Sequence, residues 1–508
     1  MRTKPTKIFL IMAFCSGVLS VKAQFQFTGQ LRTRTEWRNG VGTLRAYNAD
    51  PSFFTSQRTR LSFGYNMPRV QFKTTVQDVR VWGQDASSIS NADGAKLGVH
   101  EAWAEVALQN RADTGFKSSF VDYLGLRIGR QELMYDDARL LGNLDWLQQG
   151  RRHDALVFKM REKKFSADAG FAFSQQTDAF GYNGTYYTPA NVLPTVRDSK
   201  GQLAATPAGF IPLVNAAGIS SRSGTPAFSN PPGTNGQTQQ YKAMQFLYTS
   251  WKKSTTTISG LLLADHFGVH QLDSVQNISG ADTGYIYGRK FRSKGVHSRL
   301  TFGAQLSGAF DQKNTFQYKA GAYFQTGKDL EGTALSTYMA YASLTLQRAP
   351  FTYAIGYDIL SGNDAFSSDG KSHRFDPLYG TPHKFWGYMD YFYVGTGSPT
   401  GGLANPQASI RYAARGKRFS ASADYHAFFL ANDQKDKNAS KVERYLGSEV
   451  DLSSSYQLNN LVTLEGGVSF MGATRSMDYA KNISPGTARL AGSWAWLMVN
   501  IRPDFLRK

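Results

Sequence analysis

From Phe25 the chain alternates apolar and polar residues with a period of two, and it does so in long segments as far as residue 501. In the first segment Phe25, Phe27, Gly29, Leu31, Thr33, Thr35 and Trp37 share one parity, and Gln26, Thr28, Gln30, Arg32, Arg34, Glu36 and Arg38 the other. In an extended strand these are opposite faces. One such segment fits any half-buried strand, so the repetition carries the information. Further segments lie near 54–66, 69–82, 98–109, 121–130, 153–161, 165–174, 240–251, 255–266 and 293–304. More follow near 315–327, 336–347, 351–360, 406–414, 419–430, 444–455, 461–471 and 491–501, which brings the total to eighteen. A tilted membrane strand needs about 9–11 residues, whereas an average strand has about 5–6, and these segments are of the longer kind. The even number is the one that single-chain bacterial barrels show.

The connections give a second constraint. Those leading from even to odd segments are mostly short, such as Met67-Pro68, Glu162-Lys163-Lys164, Lys252-Lys253-Ser254 and Arg348-Ala349-Pro350. Those from odd to even are mostly long: 39–53, 83–97, 131–152, 175–239, 267–292, 361–405 and 472–490. Short periplasmic turns and long extracellular loops are the habit of outer-membrane barrels. No helical stretch is available to cover an apolar sheet face, and closing the sheet on itself satisfies every backbone donor and acceptor, as a bilayer requires. The fold expected is all-β, a transmembrane antiparallel barrel of eighteen strands. Trp37, Tyr65, Trp82, Tyr248, Trp251 and Trp494, near segment ends, suit interfacial girdles.

The first residues read as a secretory leader: a basic MRTKPTK, a short apolar run, then small residues, with cleavage after Ala23. The lone Cys15 lies within that leader, so residues 24–508 offer no disulfide or thiolate site. The length would fit about two to four ordinary domains, but the pattern assigns 24–508 to a single barrel, with 175–239 and 361–405 as long extracellular loops. The chain carries 57 basic and 38 acidic residues. Loss of Arg2, Lys4, Lys7 and Lys22 with the leader leaves 53 against 38, or +15. An exported chain has no use for such charge in binding nucleic acid. Lipid, lipopolysaccharide and anions passing through the pore are the partners expected.

A barrel of eighteen strands is too wide for side chains to fill, so its lumen should hold water or folded-in loops. Inward parity collects Arg32, Arg34, Arg58, Arg60, Lys73, Arg127, Lys159, Arg299, Lys319 and Arg411. It also collects Glu36, Glu101, Glu105, Asp168, Asp358, Asp424, Glu449, Asp451 and Glu465. The bases crowd strands 1 to 3 and many of the acids strands 13 to 17. One reading is a guanidinium-rich wall that guides anions, because arginine pairs with carboxylates through a planar fork and keeps its charge. The other is a set of rigidifying ion pairs, such as Arg34 and Arg60 with Glu101 or Glu105. The segment 131–152 interleaves Arg139, Arg151 and Arg152 with Asp136, Asp137 and Asp145, next to Leu140, Leu141, Leu144 and Trp146. It is expected to fold inward as a constriction.

At these residues the sequence resembles the alginate export family of outer-membrane porins. The resemblance is carried by Leu126-Arg127-Ile128-Gly129-Arg130-Gln131-Glu132-Leu133, by Asp137-Ala138-Arg139-Leu140-Leu141-Gly142, and by Trp146. It continues in Gly356-Tyr357-Asp358, Ser361-Gly362-Asn363-Asp364, Phe375-Asp376-Pro377-Leu378-Tyr379-Gly380-Thr381-Pro382-His383 and Gly387-Tyr388-Met389-Asp390. It implies an arginine-lined lumen that passes an anionic uronate polymer outward, with Arg127, Arg130, Arg139, Arg151 and Arg152 as its motif residues and a periplasmic export partner. The inward acids and the non-terminal aromatic of Arg502-Pro503-Asp504-Phe505-Leu506-Arg507-Lys508 depart from that pattern. An uptake porin for small acidic solutes and a structural or adhesive barrel are the alternatives.

Other chemistry is weakly signalled. His153-Asp154 with Asp136-Asp137, or His266 with Asp265, are the catalytic candidates, but no nucleophile stands at a distinctive spacing, so no enzyme is expected. No cofactor is expected. Asn363, Asp364 and Asp369 form a weak oxygen-ligand set for calcium.

Overall fold

In β1 (Gln24–Asn39) Arg32, Arg34 and Glu36 are buried while Leu31, Thr33 and Thr35 between them are half-buried and Trp37 is exposed. The alternation thus turns polar side chains inward and apolar ones outward, the reverse of a soluble β-protein and the arrangement a lipid-facing wall requires. The computed structural model describes residues 24–506 except 84–95, 112–120, 175–191, 208, 228–240, 279–282, 394–398 and 417. The expected leader, residues 1–23 with Cys15, lies outside the described residues.

The wall continues as β2 (Ser52–Asn66), β3 (Val70–Val81), β4 (Lys96–Asn110), β5 (Tyr123–Gln131), β6 (His153–Glu162) and β7 (Phe165–Phe173). Then come β8 (Ala243–Lys253), β9 (Thr256–Asn277), β10 (Gly284–Ala309), β11 (Phe316–Lys328), β12 (Ala334–Arg348) and β13 (Phe351–Leu360). The last are β14 (Leu403–Ala413), β15 (Phe419–Phe429), β16 (Tyr445–Gln457), β17 (Val462–Ala473) and β18 (Ala491–Ile501). Every neighbouring pair is antiparallel, and β7 pairs with β8 across the connection between them. The seam closes where β18 returns to β1, from Leu31↔Ile501 to Asn39↔Ser493. Beyond Ile501 the tail still follows β1: the Gly29 amide donates to the Pro503 carbonyl and Phe505 packs on Phe27. Such closure leaves no unpaired edge in the bilayer. All eighteen strands coincide with the eighteen alternating segments.

Three features differ from the sequence reading. Segment 267–292 is not a loop: β9 and β10 run on past the barrel as a paired hairpin to Asn277↔Gly284. Pairing with β11 starts only at Arg299↔Gly327, so the upper hairpin stands clear of the wall. It is buttressed instead by the strand Phe210–Val214 on β10 and by packing of Val196 and Phe210 against Ile286. Its faces meet protein and water, not lipid, so the lipid-type alternation fades there. Tyr248 and Trp494 have inward parity: Trp494 is buried and donates to Glu36 (3.0 Å), and Tyr248 donates to Asp136 (2.8 Å). They belong to the lumen, while Trp37, Tyr65, Trp82 and Trp251 are exposed on the outer surface. Finally, the connection after β13 starts at the loop end but, over 361–393, turns into the barrel. Phe375, Tyr379, Trp386, Met389, Tyr391 and Phe392 are all buried in one apolar cluster with Leu133, Leu140 and Leu141. The hydrophobic core of this protein is therefore inside the barrel.

Candidate functional site

Two inward segments, 132–152 and 361–393, meet in the lumen through backbone hydrogen bonds. The Tyr379 amide donates to the Leu140 carbonyl (2.9 Å), that of Gly142 to Tyr379 (3.0 Å), and that of Thr381 to Ala138 (2.8 Å). Close approach of the two chains dictates Gly380, where a Cβ would lie 1.9 Å from the Arg139 carbonyl oxygen. The wall anchors both loops. Arg139 binds Asp358 of β13 (2.6 Å) while lying between the Tyr341 and Phe385 rings, at 3.9 and 4.0 Å. Trp386 donates to the same Asp358 (3.1 Å). Arg299 holds Asp265 through two bonds of 3.0 and 2.6 Å and reaches Asp376 at 2.6 Å. On the acidic arc, Glu449 accepts the Met389 amide (2.7 Å) and Asp451 that of Tyr388 (3.2 Å). Gly387, at φ +81°, is required here too, because a Cβ would stand 2.7 Å from the Glu449 carboxylate.

The basic wall of β1 and β2 is also engaged. Asp145, on the first inward loop, receives Arg32 (3.3 Å), Arg58 (2.8 Å) and Arg60 (3.1 Å). Burial pushes its carboxyl up, but the guanidinium groups, Arg58 foremost, outweigh that and hold it below the ordinary aspartate range. Gln148 caps Arg32 (2.9 Å) and Gln30 caps Arg58 (2.8 Å). Arg34 pairs with Glu36 (2.8 Å) and lies over the Trp146 ring at 4.2 Å. Trp146 stacks on His383 at 4.4 Å, and His383 on Tyr388 at 5.2 Å. Three cations around one carboxylate leave a local excess of positive charge.

Water-sized space remains toward the turn end. One cavity of about 470 Å³ is lined by Arg58, Arg60, Lys73, Glu101, Glu132 and Asp145, among others, and reaches Arg502. A second of about 470 Å³ shares Lys73, Glu101 and Glu132 and extends to Arg127, Lys159 and Asp168. Lys73 pairs with Glu101, while Glu105 takes both Arg127 (2.6 Å) and Lys159 (2.9 Å). Arg127 also lies 3.9 Å from the Trp103 ring. Lys319 approaches Asp137 at 3.4 Å, and Arg411 faces Asp424 at 3.7 Å with its side chain 62% exposed.

Several expectations change. Arg130 has the opposite parity to Arg127 and forks onto Asp154 at 2.8 Å on the outward side, so it does not line the lumen. Arg139 and Arg151 are buried within the plug, Arg151 donating to the Gly380 carbonyl, and they hold the loops rather than face open water. Arg152 is half-buried, its Nε without a hydrogen-bond partner among the described residues. Arg34 and Arg60 pair with Glu36 and Asp145, not with Glu101 or Glu105. Asn363, Asp364 and Asp369 do not converge: each carboxyl or amide oxygen accepts a nearby backbone amide, from His373, Phe366 and Lys371. Among the described residues no group of three His, Cys, Asp or Glu is placed to hold a metal. His153 is buried against the Tyr241 hydroxyl (2.7 Å), and His266 contacts Gln245 and Ser298 while Asp265 serves Arg299. Two contributors were missed. Glu132 was read only as part of a motif, yet it contacts His100 (2.9 Å) and Asn143 (3.0 Å) and borders both cavities. The other is the plug formed by 361–393, whose aromatic density between 375 and 393 is unsuited to a solvated loop.

A closed eighteen-stranded barrel with an apolar outer face, a polar lumen and inward-folded loops is an integral outer-membrane channel. The model of a family described as alginate export matches residues 21–174, a stretch that holds the Arg127, Arg139 and Trp146 motifs, and the resemblance to that family of porins stands there. The fold is that of several crystal structures. The chain is similar to Acinetobacter baumannii OccAB4 with a TM-score of 0.54 and 11% identity, covering 96% of this chain and 100% of that one. It is similar to the outer membrane protein OpdK of Pseudomonas aeruginosa with a TM-score of 0.51 and 10% identity, covering 94% and 99%. OpdK with vanillate gives the same TM-score of 0.51, 10% identity and coverage of 94% and 99%. No curated protein matches the sequence. These likenesses show the fold of an outer-membrane barrel.

Proposed function

We propose that the channel passes carboxylate-bearing anions, with uronate polysaccharide as the leading substrate, by passive movement along the β1–β3 wall. The observation that carries this reading is the convergence of Arg32, Arg58 and Arg60 on the Asp145 carboxylate at the edge of a cavity. That carboxylate occupies the place an incoming one would take, and its partners form the charge-assisted contacts that planar guanidinium groups make with any carboxylate. Several moderate sites in series let an anion enter and leave. Lys73, Arg127, Lys159 and Arg411, each beside an acid, extend the series. Arg32, Arg34, Arg58 and Arg60 carry selectivity, whereas Arg139, Arg151, Arg299 and Lys319 position the loops.

Uptake of small acidic solutes is the second reading. It is favoured by the size of the two cavities, which suits a small carboxylate better than a polymer, and by the fold shared with a barrel crystallised with vanillate. Single-channel recording in planar bilayers tests both. Anion-selective current blocked by oligouronates but not by neutral oligosaccharides supports the polymer. Block by monocarboxylates alone supports uptake, and an absence of current defeats the channel reading.

A further inference from the structure

The turn end of the barrel differs in charge from the loop end. Among the described residues, the turns and the positions flanking them expose eleven bases and no acid. Arg69, Arg111, Lys163, Lys164, Lys252 and Lys253 are six of these, and Lys313, Arg348, Arg415, Arg418 and Arg502 complete the set. The carboxylates there, Asp122, Glu162, Asp311 and Asp504, are all half-buried. Arg111 pairs with Asp122 (2.5 Å) and Lys163 with Glu162 (3.1 Å), while Asp311 accepts the amides of Thr315 and Phe316 within its own turn. The loop end shows no such bias: 430–444 interleaves Asp433, Asp436 and Glu443 with Lys435, Lys437, Lys441 and Arg444.

The bases are spread around the circumference, on seven of the eight turns and the C-terminal tail, and most lie next to an exposed aromatic ring. Arg69 falls between Tyr65 and Phe72, Lys164 precedes Phe165, and Lys253 follows Trp251 by two residues, on the same face of the strand. Lys313 falls between Phe310 and Phe316, Arg348 stands directly across the turn from Phe351, and Arg418 precedes Phe419, whereas Arg502 borders the lumen cavity. At about 3.3 Å per residue each cation sits roughly 3–13 Å along the chain from its ring. Aromatic rings settle at the headgroup boundary, and long basic side chains reach from there to the phosphates.

We propose that this ring binds the anionic phospholipid headgroups of the periplasmic leaflet and so sets the depth and tilt of the barrel. A protein partner would be served by a patch on one side, and a polymer entering the pore by a lumen-facing group. Arg502 and Lys252 have lumen parity, but Lys253 shares the outer face with Trp251, two residues before it, and Arg348 shares it with its cross-strand partner Phe351, so the band as a whole reaches outward on successive turns and matches the leaflet that surrounds the barrel at that height. The inference rests on the fold alone and holds whatever the channel carries.

The test uses the full chain, purified in detergent and reconstituted in nanodiscs of phosphatidylethanolamine with phosphatidylglycerol, or with phosphatidylcholine in its place. Lipid retained after extraction is read by native mass spectrometry. The expected result is retention of phosphatidylglycerol in preference to either zwitterionic lipid, with that preference falling about tenfold in K163Q/K164Q/K252Q/K253Q and returning in the corresponding lysine-to-arginine variant. Single-channel conductance should be unchanged in both, which also reports intact folding. Equal retention of all lipids, or an unchanged preference in the glutamine variant, overturns the proposal. So does a glutamine variant that keeps its lipid preference but loses block by oligouronate added from the turn side, because the ring would then belong to the substrate path.

Discussion

Removing the Asp145 charge without removing its shape should open the arginine group to passing anions. In Asp145→Asn the three guanidinium groups at 3.3, 2.8 and 3.1 Å lose their shared counter-ion, and the local sum of charge from Arg32, Arg58, Arg60 and residue 145 rises by one unit. For a solute about 6 Å away in water-like surroundings, one unit charge is worth about 0.7 kcal/mol, favourable to an anion and unfavourable to a cation by the same amount. The permeability ratio then shifts by about 1.4 kcal/mol, or about tenfold toward anions, at low salt. Screening over about 8 Å at 0.15 M reduces this to about threefold. The reversal potential across a bilayer under a salt gradient, recorded at two ionic strengths, measures the ratio directly. An unchanged ratio, or a shift toward cations, would refute the claim that the Asp145 contacts restrain an anion path. Arg58→Gln and Arg60→Gln must move the ratio the other way.

Gly387→Ala puts a methyl against the Glu449 carboxylate in a left-handed backbone, which should cost about 1–3 kcal/mol and loosen the loop tip, seen as faster protease cleavage within 361–402. Lys481, after the helix Ser476–Ala480, donates to the Tyr391 carbonyl, and burial pushes its ammonium down to about 7 against the attraction of Asp390. Its folded value lies below the ordinary 10.5, so the folded state binds fewer protons between pH 7 and 10.5 and loop stability rises across that window. Lys481→Met should flatten the rise with pH in the protection of the 388–392 amides against hydrogen exchange. Asp145, with its carboxyl held down, contributes stability above the ordinary aspartate range and loses it as pH falls through its lower folded value. Selectivity should therefore stay flat from pH 7 to about 4 and turn toward anions only below that range. Arg139→Gln leaves Asp358 buried without its cation and should destabilise the plug by about 3–5 kcal/mol, measured as a lower unfolding midpoint.

The wall was legible because lipid imposes a strict rule on it: each residue of β11 or β15 faces either hydrocarbon or lumen, so parity fixes its chemistry. The rule fails where the surroundings change. Above Gly268 the β9–β10 hairpin leaves the bilayer and is held by a segment more than fifty residues away, a tertiary contact that no local period records. Arg130 shows a subtler limit: it follows Arg127 by three, and in a strand an odd offset reverses the face, so shared membership of one motif does not mean a shared direction. Within the lumen, parity found Arg32, Arg58 and Arg60 but not their partner, because Asp145 sits on a loop whose path depends on the hold of its own Arg139 on Asp358 and on the close approach of Gly380, both far along the chain.

The backbone bonds between Tyr379 and the 138–142 segment join the two plug loops into one piece. A piece joined in that way does not yield strand by strand. Moving either loop breaks the shared bonds, so any passage wider than the present cavities requires both to shift together, and the energetic cost of opening is shared by residues 237 to 243 positions apart in the chain. Recordings from such a pore should show a few discrete current levels with abrupt transitions between them, not a continuum of partial openings.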